Sequence, residues 1–308
     1  MILSVSRRTD IPAFYWEWFL NRVQAGFVDV RNPMNIHQVS RINIRPEVVD
    51  CIVFWTKNAG NIIPHLDKLK DYKFYFQYTI NPYNKLIEEN VPLKKDIIEN
   101  FRSLSEIIGP NRIIWRYDPI LLTDLFDIKY HLRYFEELSK RLKGHTNRCV
   151  ISFVDLYKKT TSNARELMMK EPTDKEMHLL AQNLSSIAKE YGMDIVSCSE
   201  SIDLDFDGVK HGCCIDKNLI EEIVGYKIDV KKDKNQRKEC GCVESVDIGA
   251  YNTCLHGCKY CYANFNNMKV QSLSKKHNLL STLLVGELDN NDIVNERKVK
   301  LLKSNSLF

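Results

Sequence analysis

Six short, nearly unbroken apolar runs, each followed by a longer stretch of helical periodicity, constrain this chain more than any other feature. They are residues 2–6 (ILSVS), 51–56 (CIVFWT), 73–80 (KFYFQYTI), 112–117 (RIIWRY), 149–154 (CVISFV) and 194–198 (DIVSC). Continuous apolarity, rather than alternation with polar residues, suits strands covered on both faces, as in parallel sheets. Between the runs, residues 13–25, 94–108, 128–142 and 174–190 repeat apolar positions at helical spacing, as in Ile97, Ile98, Phe101, Leu104 and Ile107. Pro92 and Asp174 mark helix entries, and Gly109 and Gly192 mark helix exits. Serial βα units predict an α/β fold. No Gly-rich dinucleotide loop follows the first run, which favours a (β/α) barrel of about six to eight strands, TIM-like or partial, over an open doubly wound sheet. Residues 27–44 read as an inserted hairpin turning at Asn32-Pro33. The charged stretch 231–239 divides a βα-barrel domain, residues 1–230, from a cysteine-rich extension, residues 231–308, expected to pack on the barrel.

With 308 residues and 44% hydrophobic content the chain can bury a large core. Its 44 Lys and Arg against 40 Asp and Glu exclude a strongly basic nucleic-acid coat and an acidic disordered tail, though not a local basic patch. No apolar run has membrane-spanning length, and Arg7, Arg8 and Asp10 leave no apolar core for a signal peptide. A cytoplasmic protein without a membrane partner is expected.

The C-terminal strand ends of a βα barrel face its active site. Here the runs end in Ser6-Arg7-Arg8-Thr9-Asp10, Thr56-Lys57-Asn58, Thr79-Ile80-Asn81, Arg116-Tyr117-Asp118, Asp155 and Ser199-Glu200. Arg7, Arg8, Asp10, Lys57, Arg116, Asp118 and Glu200 are therefore the candidate catalytic residues. The four cations suit a carboxylate or phosphate; the plainer alternative is salt bridges to Asp10, Asp118 and Glu200.

Eight of the ten cysteines fall between Cys198 and Cys261, while Cys51 and Cys149 sit in apolar runs as core fillers. The densest group is 253–264, TCLHGCKYCYAN, where Cys254, Cys258 and Cys261 form C-x3-C-x2-C. Three thiolates so close can wrap one face of an iron–sulfur cubane and leave one iron open. Gly257 permits a close backbone approach, and Tyr260 and Tyr262 can shield the cluster. The alternative is zinc, with His256 or a distant cysteine as fourth ligand. Cys214, Cys240 and Cys242, grouped with Cys198 and Cys213, are candidates for a second iron–sulfur cluster or a zinc ion; Cys213 is the poorer ligand, because adjacent cysteines do not easily ligate one ion together.

The loop resembles the cluster-binding segment of radical S-adenosylmethionine (SAM) enzymes, with Cys254, Cys258, Tyr260 and Cys261 matching the hallmark CxxxCxxC and its aromatic residue. CLHGCKYCYAN is similar to the version in spore photoproduct lyase-like proteins. The whole chain, from VSRRTDIPAF onward, resembles an uncharacterised bacterial family with this motif near its end. The resemblance implies a 4Fe–4S cluster on the three cysteines, with Tyr260 beside it. It further implies SAM on the open iron, reductive cleavage to a 5′-deoxyadenosyl radical, and an electron donor such as flavodoxin or ferredoxin. In that superfamily the motif follows the first barrel strand, whereas here it follows all six predicted strands, and no clear Gly-Gly-Glu segment is present. A C-terminal extension folding back over the barrel mouth would bring the cluster to the strand-end residues.

Residues 270–308 read as a helix-rich tail with a basic face at Arg297, Lys298, Lys300 and Lys303. Its Ser306-Leu307-Phe308 ending resembles bacterial sliding-clamp-binding peptides without their leading Gln. Nucleic acid is thus a candidate partner, and a nucleic-acid base or lesion a candidate substrate. Two further readings are a non-radical barrel enzyme with a structural cluster or zinc, and a nucleic-acid-binding protein with a metal-bound tail.

Overall fold

The computed structural model describes residues 1–155 and 167–304. Its centre is an eight-stranded sheet in which every neighbouring pair is parallel. The strands are β1 (Ile2–Val5), β4 (Cys51–Thr56), β5 (Phe74–Thr79), β6 (Ile113–Ile120), β7 (Arg148–Phe153), β8 (Asp194–Cys198), β9 (Lys210–Gly212) and β10 (Val246–Asp247). Their order is β10-β1-β4-β5-β6-β7-β8-β9. All six apolar runs form strands. The two edge strands, β9 and β10, lack such runs and are only three and two residues long. They share no ladder, but the segments beside them touch: Val243 donates its backbone N–H to Ile215 O at 3.2 Å.

Alternating side chains divide each strand between two apolar layers. Leu3, Ile52, Phe54, Phe76, Trp115 and Ile151 point into the larger one, which holds the apolar faces of α2 (Trp16–Ala25), α3 (Lys94–Ile108), α4 (Ile128–Leu142) and α5 (Asp174–Glu190). Phe54 lies at its centre, stacked on Phe76 and edge-on to Phe19 and Phe74. On the opposite face Ile2, Cys51, Val53, Tyr75, Ile114 and Val150 pack against Leu219 and Ile220 of α6 (Lys217–Val224). Cys51 and Cys149 are fully buried. Helix ends follow the expected chemistry: Thr173 and Glu176 form a capping box at α5, and Gly109, at φ +89°, ends α3.

The hairpin expected over 27–44 forms as β2 (Phe27–Asn32) and β3 (Asn35–Asn43), antiparallel. The helix-rich tail does not form. After α7 (Asn267–Ser274) comes β11 (Ile293–Arg297), which pairs in parallel with β3. The β-branched pair Ile293-Val294 favours extension, and Arg31 of β2 holds the preceding turn through Asp292 at 2.6 Å. The terminal peptide at Ser306 lies outside the described residues. Among those residues no helix is long and apolar enough to cross a membrane.

Candidate functional site

Parallel strands deliver their following loops to one end of the sheet, and a cavity of about 410 Å³ opens there. All seven candidate catalytic residues line it: Arg7, Arg8, Asp10, Lys57, Arg116, Asp118 and Glu200. So do Cys254, Cys258, Tyr260 and Cys261, and a second group, Cys198, Cys214, Cys240 and Cys242. Cys213 is not among the lining residues.

β10 explains how a motif so late in the chain reaches this end. It runs parallel to β1, and Asp247 fastens the two: it accepts from Ser4 Oγ at 2.9 Å, Ser6 Oγ at 2.6 Å and Arg7 N at 2.8 Å. The chain then turns over the strand ends so closely that a Cβ on Gly249 would lie 2.0 Å from Ser6 Oγ. The cysteine loop rests on the segment after β5. Asn90 N donates to His256 O at 2.9 Å, Lys259 N to Ile87 O at 3.0 Å, and Glu88 forms a backbone bridge to Cys258. Tyr15 Oη donates to Thr253 O at 2.5 Å. Gly257 takes φ +66°, a left-handed conformation that costs other residues steric energy.

A buried charged cluster lies beneath the loop. Glu88, 1% exposed, accepts from Lys57 Nζ at 2.8 Å, Lys94 Nζ at 2.5 Å and Tyr260 Oη at 2.5 Å. Burial alone would raise its carboxyl; the two ammoniums override that and hold it at about 2. Lys57 is raised despite burial because Glu88 favours its charge. Lys94 ends lower than usual, since burial, with Lys57 beside it, outweighs its share of the carboxylate. Burial likewise pushes the thiols of Cys254, Cys258 and Cys261 upward, Cys258 to about 12, so without a metal they stay protonated.

Asp10 caps the short helix α1 (Ile11–Phe14) through Ala13 N, receives Lys57 N at 2.7 Å and pairs with His256 Nε2 at 2.8 Å. Those contacts make it a tie between β1, β4 and the cysteine loop. Arg116 pairs with Asp118, as the plainer alternative anticipated, and also reaches Gln77 Oε1 at 3.3 Å and Cys214 Sγ at 2.6 Å. Arg7 approaches Asp233 at 3.6 Å and Arg8 approaches Asp247 at 4.0 Å. Glu200 accepts from Phe153 N at 2.9 Å, and burial raises its carboxyl to about 7.

In the second group Cys198 Sγ and Cys214 Sγ are 3.0 Å apart. The neighbouring thiols of Cys214 and Cys240 favour the Cys242 thiolate and lower that thiol, and Ile215 N donates to Cys242 Sγ at 3.4 Å. Cys213 turns away, its thiol raised to about 12 by burial.

Whether either group fits a metal can be tested on spacing. A single tetrahedral ion bound at about 2.3 Å needs sulfurs about 3.8 Å apart. Among the described residues, only His37, Asp289 and Asp292 bring three possible ligand atoms within 4.8 Å of one another. Cys254, Cys258 and Cys261 are thus spread more widely than one zinc ion requires, while a cubane binds each thiolate at a separate corner. His256, the alternative zinc ligand, engages Asp10 through Nε2. Three half-buried cysteines on one loop lining a cavity fit an iron–sulfur cluster.

Glu88 and Asp247 went unrecognised in the sequence. Glu88 carries no periodic signal, and only its place in the loop after the third run pointed to the site.

A family model described as a domain of unknown function (DUF1848) matches residues 2–263. No curated protein matches the chain. A crystal structure from Bacteroides thetaiotaomicron VPI-5482, whose description names an alpha-L-fucosidase, is similar at 10% identity over 68% of this chain and 80% of that one. Its TM-score of 0.27 is too low to carry an argument.

Proposed function

We propose that this chain, which belongs to the DUF1848 family, is an iron–sulfur enzyme of radical SAM type, with Cys254, Cys258 and Cys261 as cluster ligands. One observation carries the reading. The three-cysteine loop follows a strand of the parallel sheet and lines the same cavity as Arg7, Lys57, Arg116 and Glu200. The resemblance asks for a motif after a barrel strand; here β10, a strand of the parallel sheet paired with β1, precedes it, which supports the reading. The contact between Val243 and Ile215 supports a sheet rolled into an incomplete barrel, its gap bridged by the segments next to β9 and β10.

Cys254, Cys258 and Cys261 would hold a 4Fe–4S cluster, which when bound would supply the electron for reductive SAM cleavage and hydrogen abstraction from substrate. The chain's own residues bind, orient and exclude water. Tyr260, fixed by Glu88 and by Asn81 Nδ2 at 3.2 Å, covers one side of the loop. Tyr262, donating to Arg7 O at 2.9 Å, ties the loop to the end of β1. Arg7 and Arg116 flank Trp55, at 5.9 and 5.3 Å from its ring centre, and offer cationic donors to a carboxylate or phosphate. Glu200, poised near neutrality, can hold or release a proton at its carboxyl. An anionic substrate suits these cations, and a nucleic-acid base or lesion is the class we favour. The reading needs a one-electron donor of the flavodoxin or ferredoxin class.

Anaerobic purification with iron and sulfide counting, then reduction with SAM and assay for 5′-deoxyadenosine, tests the proposal. About four irons lost on Cys258→Ala, with deoxyadenosine formed, is the expected result. Stoichiometric zinc in the loop, or a cluster inert to SAM, refutes it.

A further inference from the structure

The geometry points to a second iron–sulfur cluster, held by Cys198, Cys214, Cys240 and Cys242, which line the same cavity as the first loop. The four thiols come from three separate places: the end of β8, the turn after β9 and the strand-like segment before β10. Nothing in local sequence requires them to meet. Yet Cys198 and Cys214 lie 3.0 Å apart without a bond, and Cys240 and Cys242 line the same cavity.

The packing around them is built for anionic sulfur. Arg116 Nη1 lies 2.6 Å from Cys214 Sγ, and Ile215 N donates to Cys242 Sγ at 3.4 Å. Such donors stabilise thiolates and set the potential of a cluster. Glycine at 241 lets the Cys-x-Cys turn press on the strand beside it: a Cβ there would lie 3.3 Å from Gly212 O and from Cys213 Cβ. The sulfurs form a string rather than a knot. Cys198 and Cys214 make a close pair but no three of the four lie within 4.8 Å of one another, so the set does not close round one tetrahedral ion and suits a cluster that takes its thiolates on separate irons. Cys213, adjacent in sequence, does not line the cavity and is no part of the set.

This inference does not depend on what the first loop binds, and its test keeps the two apart. The variant Cys254→Ala/Cys258→Ala/Cys261→Ala is purified anaerobically, its fold is checked by circular dichroism, and iron, sulfide and zinc are counted. About two to four irons should remain with matching sulfide and give a cluster spectrum on reduction. They should vanish when Cys214→Ala or Cys242→Ser is added and persist when Cys213→Ala is added. Should the Cys214 variant misfold, the Cys242→Ser variant and the iron count of the loop variant decide. A folded loop variant without iron, one with stoichiometric zinc, or one whose alkylation mass shows a Cys198–Cys214 disulfide overturns the inference.

Discussion

Glu88→Gln removes one charge, at nearly constant shape, from a site where two ammoniums depend on it. Lys57 and Lys94 reach the carboxylate at 2.8 and 2.5 Å, and side-chain exposure of Glu88 is 1%. Burial raises the Glu88 carboxyl and the two lysines lower it further, to about 2 from an ordinary 4.5. At about 1.4 kcal/mol per pH unit, that gap is about 3 kcal/mol favouring the ionised fold. Removing one partner of a buried ion pair costs about 3–5 kcal/mol, in the same range. Because the folded value lies below the unfolded one, the whole contribution is present above pH 4.5 and is lost as pH falls toward 2. Urea unfolding of wild type and variant, in the same metal state, should therefore differ by about 3 kcal/mol at pH 7. The difference should shrink to about 1 kcal/mol at pH 3. A gap under 1 kcal/mol at pH 7, or one that does not narrow in acid, would falsify the assignment of Glu88 as the counter-charge of both lysines.

His131 gives a second pH test: Nε2 donates to Leu121 O, Nδ1 accepts from Tyr117 Oη, both at 2.8 Å, and burial lowers its pKa to about 4. Its neutral form contributes stability above pH 6.5 that is lost as pH falls toward 4. Wild type should lose about 2 kcal/mol relative to His131→Gln between pH 7 and 5; parallel profiles would remove the argument. Gly257→Ala must adopt φ +66° and places a Cβ 3.2 Å from Asn90 Nδ2, so we expect a cost of about 1–2 kcal/mol and lower iron content in a folded protein. Unchanged iron retention and an unchanged urea midpoint would mean the loop tolerates that backbone. Phe54→Ala should destabilise by about 3–5 kcal/mol in the same unfolding assay; a loss under 1 kcal/mol would show that its aromatic neighbours repack freely.

The framework was readable because a strand buried on both faces must be apolar throughout. Residues 51–56 and 194–198 form strands at the predicted limits, and residues 73–80 form one trimmed at each end. β10 escaped notice because Val246-Asp247 has no run to reveal it; its place depends on Asp247 meeting Ser4 and Ser6. The strand-end residues could be located from phase alone, since phase decides which loop each enters. Their partners could not. Lys57 pairs with Glu88 rather than Asp10, a choice made by the β5 loop folding beneath the cysteines. Arg116 meeting Cys214 depends on the sheet geometry from β6 across β7 and β8 to β9. The tail misled because helix and strand compete evenly in a short polar segment, and β3 offered an open edge.

The clasp that fastens β10 to β1 also has a timing. Ser6–Asp247, Asp10–His256 and Arg7–Tyr262 join residues 241, 246 and 255 apart in sequence. A ribosome releases Cys254 only after every strand of the central sheet has been synthesised, so on the proposed reading a cluster would meet a chain that already carries all of those strands. The edge that holds the loop is two residues long and opens at far less cost than the sheet's centre. On the proposed reading, opening there would expose the three thiols to a cluster donor. Amides 246–263 should accordingly exchange with solvent well before those of β5 and β6.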